Sequence, residues 1–383
     1  MLSAELAQVL ATTETVVQES VMLHADRVDQ EGRWPAESLA ALRAAGLTRL
    51  TVPQRAGGLG MGLLATAVVT ESIAQACPST AMCFGMHCVA TAVIAAKATP
   101  EQDERYLRPI ARGEHLSSLA LSEAGTGANF YLPETSLSRA PTGFRLNGVK
   151  QFVTSGGEAD SYVVSCVASD DTGAGEFSCL VLDRGTPGMH WGPPWQGVGM
   201  RGNSSRTLTL TDATADAAAL LGAEGDQIWY VFEVVAPFFL VAMASTYVGI
   251  GRAAVGTAVQ HLKSRRFSHS GETAASLDTV QHRLGSVWAE VERAGLMLRR
   301  AAELGDAGSP DALPSILACK ADAADAAVSA TNEAMTLCGG AAYRENSRLA
   351  RLLRDARASH VMSPTTDMLR LWTGRQLLGL SLF

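Results

Sequence analysis

Apolar positions recur with two different periods along this chain, and the change of period divides it into three. Up to residue 117 the spacing predicts helices. In "PAESLAALRAAGL" (35–47), Leu39, Leu42 and Leu47 give a rough helical stripe, with Pro35 placed for a first turn and Gly46 for a C-terminal cap. "TVPQRAGGLGMGLLATAVV" (51–69) reads as a Gly-rich loop entering an apolar helix. No strand precedes it, and its glycine spacing fits neither common phosphate-binding fingerprint. From 118 to 221 the period shortens to two. "FRLNGVKQFVTSG" (144–156) places Asn147-Gly148 between alternating segments, a strong hairpin signal. "SYVVSCVAS", "FSCLVLDR" and "RTLTLTDA" follow as short strands too close together for crossover helices, so an antiparallel sheet or barrel is expected. From 222 to 383 helical spacing returns. "QHRLGSVWAEVERAGLMLRRAAEL" (281–304) carries Leu284, Val287, Trp288, Val291 and Leu298, and a long Ala-rich helix ends on Gly339-Gly340. The fold class is mainly α with a central antiparallel β domain, in three units: 1–117, 118–221 and 222–383.

Composition narrows the function. A hydrophobic fraction of 47% with 18% charged residues describes a chain with a large core. The net charge of −7, without any long Lys/Arg run, disfavours a nucleic-acid partner. Seven scattered cysteines without a Cys-x-x-Cys pair read as thiols of a reducing, cytoplasmic compartment. Eight histidines form no His-x-x-x-His pair, so no metal site is expected. The opening "MLSAELAQVL" lacks a basic start followed by an apolar run, and no secretory signal is read there. "VVAPFFLVAMASTYVGIG" (234–251) is uncharged over a length that could span a bilayer. Its Pro237 and frequent small residues favour a buried core helix, and no membrane is expected.

Five segments, in order, carry a resemblance: "LALSEAGTGANF" (119–130), "GFRLNGVKQFVTSGGEADSYVV" (143–164), "GVGMRGNSSRTLTLTDA" (197–213), "YVGIGRAAVGTAV" (247–259) and "LCGGAAYRENSRLARLLRDARA" (337–358). Over essentially its whole length the chain resembles the acyl-CoA dehydrogenase family. The resemblance implies an α-helical N-terminal domain, a β-barrel middle domain and a C-terminal four-helix bundle, with FAD as cofactor. An isoalloxazine ring needs an apolar slot with a few convergent polar groups. By the same resemblance Phe152 covers the flavin, the Thr154 hydroxyl reaches N5, and Leu121 and Ser122 meet the pyrimidine end. Gly125 and Gly127 let the backbone come close. Phe267, with Arg265 or Arg266, matches the family's phosphate-contacting Arg-x-x-Phe, although the Arg position itself holds Ser264. Gly339 and Gly340 match the Gly-Gly near the dinucleotide, and Thr365 and Asp367 stand where the adenosine end is met. The family's shared sites imply a homo-oligomer, dimer or tetramer.

The chain departs from that pattern where the chemistry sits. Removing a proton alpha to a thioester carbonyl demands a positioned carboxylate. The family's usual Glu after Arg-Asp-Ala is replaced by Ser363 in "RDARASHVMSPTTD" (354–367). A serine hydroxyl without an adjacent base cannot take its place. The alternative base position on an earlier helix holds Phe239, and a common CoA-contacting Arg is Leu240. Ala128-Asn129 stands in place of the usual Ser-Asp. Glu233, further upstream, and His87, in the apolar "GMHCVATAV", are the remaining candidates for acid–base work. Each has a plain alternative, a helix-start charge for Glu233 and a satisfied core histidine for His87.

Three readings follow. The chain oxidises a small acyl or hydroxyacyl thioester, bound to CoA or a carrier protein, in specialised metabolism such as polyketide assembly. Alternatively it is a flavin-dependent monooxygenase or N-hydroxylase on the same fold, which needs no α-proton base. In the third reading it is a non-catalytic subunit of a hetero-oligomer.

Overall fold

The computed structural model describes residues 2–127, 129–167 and 177–382. The Ala128 half of the Ala128-Asn129 substitution and the end of "SYVVSCVAS" therefore lie outside the described residues. The first layer consists of helices α1 (Ala4–Val16), α2 (Met22–Glu31), α3 (Ala36–Ala44), α4 (Leu63–Ala76) and α5 (Pro78–Ala96). Pro35 precedes α3 and Gly46 follows it at φ +71°, a conformation open to glycine at little cost. α5 is apolar or small on every side and buried from Pro78 to Ile94, which suits a helix enclosed by α4, the β layer and the C-terminal bundle. The Gly-rich loop ends as a helix start: the N–H groups of Leu63 and Leu64 donate to the Asp306 carboxylate at 2.6 and 2.9 Å. The chain thus supplies its own anion at that helix N-terminus.

The middle layer is one curled sheet of seven strands: β1 (Ser117–Ala120), β2 (Ser136–Ala140), β3 (Gly143–Val153), β4 (Ser161–Val167), β5 (Phe177–Asp183), β6 (Met189–Trp191) and β7 (Arg206–Asp216). The strand order is β1-β4-β2-β3-β7-β6, with β5 on β4. Two details differ from the sequence expectation. The hairpin turn lies at 141–142, between β2 and β3, and not at Asn147-Gly148. Asn147-Gly148 instead runs on within β3, opposite a bulge in β7: Thr211 and Asp212 together face Asn147, and Asn147 Oδ1 accepts the Asp212 N–H at 2.8 Å. An added Cβ at Gly148 would lie 2.4 Å from Thr135 Oγ1, so close packing also favours glycine there. The sheet is not wholly antiparallel either. β1 pairs β4 in parallel, in the register Ser117↔Ser161, because the β2–β3 excursion carries the chain away and back without a helix.

The third layer is a bundle of α6 (Ala236–Ser264), α7 (Asp278–Asp306), α8 (Ala312–Cys338) and α9 (Arg348–Val361), with α10 (Thr366–Leu377) against α8. The stripe of α7 that faces the core is Val287, Val291, Ala294, Leu298 and Ala301, at helical spacing. Each buried Val or Leu there contributes about 1.5–3 kcal/mol. Trp288, expected on the stripe, is 56% exposed because it lies one residue round the helix from Val287. Small residues let α6 and α8 approach closely: Ala254, Ala323, Ala327 and Ala330 are all fully buried. The uncharged 234–251 segment becomes the first half of α6, and Leu240 to Gly251 are interior.

Candidate functional site

A cavity of about 470 Å³ lies where the three layers meet, and each layer supplies one wall. Met82 and Met86 rise from α5, one turn apart. The β layer contributes Leu119, the chain from Leu121 to Ala124, Gln151, Phe152 and Thr154, together with Trp195, Met200 and Asn203. From the bundle come Val235, Phe239, Ala358, Val361, Met362 and Ser363. A wide helical turn, Tyr230–Val235, delivers Val235 and then Phe239 to this wall. Such π-type turns are often found at functional sites.

The loop after β1 is held by a buried ion pair. Lys150 Nζ lies 2.5 Å from Glu123 Oε1, with both side chains almost fully enclosed. Glu123 also accepts from the Glu134 N–H at 2.8 Å, the Thr135 N–H at 3.1 Å and the Thr135 hydroxyl at 2.7 Å. Burial alone would push this carboxyl up, but the Lys150 charge and these donors outweigh it and hold it below its ordinary range. Both ends of the 123–134 loop are thereby fixed. Between them Gly127, at φ +52°, has no atom within 4 Å of the place a Cβ would take, so its face stays open to the cavity.

The opposite β wall is tightly wound. Phe152, Ser155, Met200 and Ser204 all adopt positive φ, between 47° and 55°. Non-glycine residues at such angles are uncommon and need support from their surroundings. The support is visible: the Ser155 N–H donates to Asn203 O at 2.8 Å, and the Trp34 indole N–H to Ser155 Oγ at 3.1 Å. The Met200 N–H donates to Asp355 Oδ1 at 2.6 Å. Gly199 packs so closely on α9 that a Cβ would stand 2.2 Å from Arg354 O. Burial pushes the Asp355 carboxyl up to about 6. The Arg-Asp-Ala segment is thus a latch between α9 and the wall. The Phe152 ring, 65% exposed, stands edge-on to Trp195 with centroids 6.2 Å apart.

Among the described residues lining the cavity, Glu123 is the only ionisable one, and it is committed to Lys150. Ser363 lines the cavity with its hydroxyl 3.5 Å from the Gly127 carbonyl. Leu240 is buried and does not line it. Two further candidates lie elsewhere. Glu233 is exposed and outside the lining, because the wide turn directs its neighbours Val234 and Val235 inward. His87 is buried on the other side of α5 from Met86. Its Nε2–H donates to Thr48 O at 2.8 Å and its Nδ1 accepts the Ser117 N–H at 3.1 Å. Both ring nitrogens are therefore occupied by backbone, and burial lowers its pKa to about 4. Of the two readings of His87, its contacts fit the satisfied core histidine: it is a neutral strut between α5 and β1 and does not line the cavity.

The residues expected around the cofactor fall into two groups. Leu121, Ser122, Gly127, Phe152 and Thr154 converge on the cavity. Arg265, Phe267 and Gly339 meet elsewhere, at the ends of α6 and α8. The Arg265 guanidinium lies 5.7 Å from the Phe267 ring, and its Nη1 3.7 Å from the position of a Gly339 Cβ. Gly339 takes φ +62° and nothing crowds Gly340. Arg266 is turned into its own loop, donating to Gly271 O at 3.0 Å. Thr365 stands at the N-cap position of α10 without a side-chain capping bond, Asp367 is exposed beside it, and neither lines the cavity. Asn203 escaped the sequence reading. It is buried, lines the cavity, and its Oδ1 has no hydrogen-bond partner. No periodic signal marks such a residue, since it belongs to a turn.

This lining fits a flavin ring. The walls are apolar, the open face at Gly127 leaves room for a close approach, and Asn203 Oδ1 is an unused acceptor. Comparison with known proteins agrees. The N-terminal, middle and C-terminal domain models of acyl-CoA dehydrogenase match residues 3–114, 118–213 and 239–378 in turn. Cyclohex-1-ene-1-carbonyl-CoA dehydrogenase of Geobacter metallireducens is 31% identical over 353 residues, 92% of each chain. The acyl-CoA dehydrogenase of Geobacillus kaustophilus superposes with a TM-score of 0.90 at 26% identity, covering 98% of both chains. The prolyl acyl carrier protein oxidase AnaB shares the fold with a TM-score of 0.89 at 22% identity, over 99% of this chain and 100% of its own. The chain belongs to the acyl-CoA dehydrogenase family of FAD-dependent oxidoreductases.

Proposed function

We propose that this protein binds FAD in the cavity between its layers and oxidises a small hydroxyacyl or acyl thioester, carried on CoA or a carrier protein, in specialised metabolism. The observation that carries the proposal is the lining itself: an apolar cavity of about 470 Å³ without a free carboxylate among its described residues. Ligand cavities run from about 300 to 1,000 Å³. A space near the lower end that also takes a flavin ring leaves room for a short acyl group only. The missing carboxylate decides between substrates. An α C–H bond needs a strong, positioned base, whereas the O–H proton of a carbinol can pass to water. When bound, FAD supplies the two-electron acceptor for the carbinol hydride.

The chain's own residues then exclude water and orient the substrate. Met82, Met86 and Phe239 form dry walls, and the Ser363 hydroxyl is placed to hold a substrate hydroxyl by hydrogen bonding. The dinucleotide end is assigned to Arg265, Phe267, Gly339 and Gly340, with Thr365 and Asp367 of a second subunit. This grouping follows the family resemblance and implies a homo-oligomer, dimer or tetramer. A dry cavity without a base also suits an oxygenating flavoprotein, and one experiment separates the two. FAD-loaded protein is titrated anaerobically with short acyl and hydroxyacyl thioesters while the flavin absorbance is followed. Bleaching by the hydroxyacyl thioester and not by its deoxy analogue is the expected result. No bleaching by either, with product gaining an oxygen atom once a flavin reductase and oxygen are added, would move the assignment to oxygenase.

A further inference from the structure

Lys320 is a lysine at a core position of α8. Ile316, Ala323, Ala324 and Ala327 surround it on the buried face, and its own side chain is fully enclosed. It has no carboxylate partner among the described residues, and burial pushes its pKa down to about 7. Its hydrogen bonds go instead to three backbone carbonyls: Ser359 at 3.3 Å, Met362 at 2.9 Å and Pro364 at 2.8 Å. An ammonium group has three donors and no acceptor, so donors and carbonyls match one for one. The first carbonyl belongs to the last turn of α9, where helix carbonyls lack intrahelical partners. The other two flank Ser363. Tyr247 closes the arrangement from α6, its ring 5.9 Å from Lys320 Nζ and its hydroxyl donating to Met362 Sδ at 3.3 Å. With the carbonyls on either side turned toward α8, the side chain of Ser363 is left on the cavity side, against Gly127.

We propose that Lys320 is a positioning residue for the reaction cavity: through these carbonyls it fixes the turn at 362–364 and so determines where residue 363 meets the substrate. The assignment rests on reading that cavity as the reaction site, but its test does not require turnover. All seven native cysteines are buried, so a thiol introduced by Ser363→Cys reports on this turn. Its alkylation rate is measured in the full-length, FAD-loaded protein, alone and combined with Lys320→Met or Lys320→Gln. A thiol from Ser268→Cys, at an exposed loop position, serves as the control. Lys320→Met should speed labelling of the Ser363→Cys thiol by on the order of tenfold, as expected when a locally fixed segment opens. Lys320→Gln, with two donors, should fall between, and the control rate should not change. Where Lys320→Met fails to fold, Lys320→Gln alone decides. Equal labelling rates with Lys320 and with Gln or Met at that position would overturn the assignment, as would an equal acceleration at the control site. Failure of the thioester reading would instead leave these rates as expected and abolish only flavin bleaching.

Discussion

His87 shows how a residue type can suggest chemistry that its surroundings exclude. A histidine in a Met- and Cys-rich helix invites an acid–base role, yet each ring nitrogen is engaged by a backbone group and burial keeps the ring neutral. His87→Ala should therefore lower stability and spare chemistry. It leaves a buried N–H and a buried carbonyl unpaired, at a cost of about 2–4 kcal/mol. The urea midpoint should fall while the rate of flavin reduction holds, and a lost rate in a fully folded variant would return His87 to the mechanism. Sequence could not separate these readings, because the partners lie 39 and 30 residues away in the chain. Ser363 was more legible. Its place after Arg-Asp-Ala singled it out, and the structure puts it on the cavity wall.

Between elements, the latch from α9 to the β wall makes a prediction about pH. The Asp355 carboxyl is raised by burial from 3.8 to about 6, against the opposing hydrogen bond from Met200. Between those values the native state binds a proton that the unfolded chain does not, so stability from this group grows as pH falls from 6 toward 4. The gain is at most about 3 kcal/mol at 1.36 kcal/mol per unit. Asp355→Asn keeps an acceptor for the Met200 N–H but cannot titrate. Wild type should therefore gain on the variant across that window in urea unfolding, and a constant difference between them would remove the assignment. His87 is common to both proteins and cancels. Legibility at this scale followed the strength of local signals. Helix starts and stops such as Pro35, Gly46 and Gly339 were readable because they are set by backbone conformation. Asn147-Gly148 misled because the dipeptide also fits within a strand that faces a bulge, and that bulge belongs to the neighbouring strand β7.

At the scale of the molecule, three layers that each bury one face leave a shared space between them. A ligand there touches all three, so filling it should stabilise the chain as one unit. Adding FAD at about a hundred times its dissociation constant should contribute about 2.7 kcal/mol and raise one cooperative thermal transition by several degrees. A melting curve indifferent to FAD would argue against binding. The division into helical, β and helical units was readable from periodicity, since 3.6- and 2-residue repeats differ over any long window. The cavity was not, because its walls come from residues as far apart as Met82 and Ser363.

The contact of Asp306 with the start of α4 has a consequence for how the protein is made. Its carboxylate reaches N–H groups 243 and 242 residues earlier in the chain, and Arg351 and Arg354 reach Asp26 and Asp29 across 325. During synthesis the leading helices emerge long before the groups that cap and neutralise them. The first hundred residues must therefore wait, with apolar faces uncovered, until the trailing bundle leaves the ribosome. Truncation before α9 should yield a nascent chain that depends on chaperones rather than a smaller working protein.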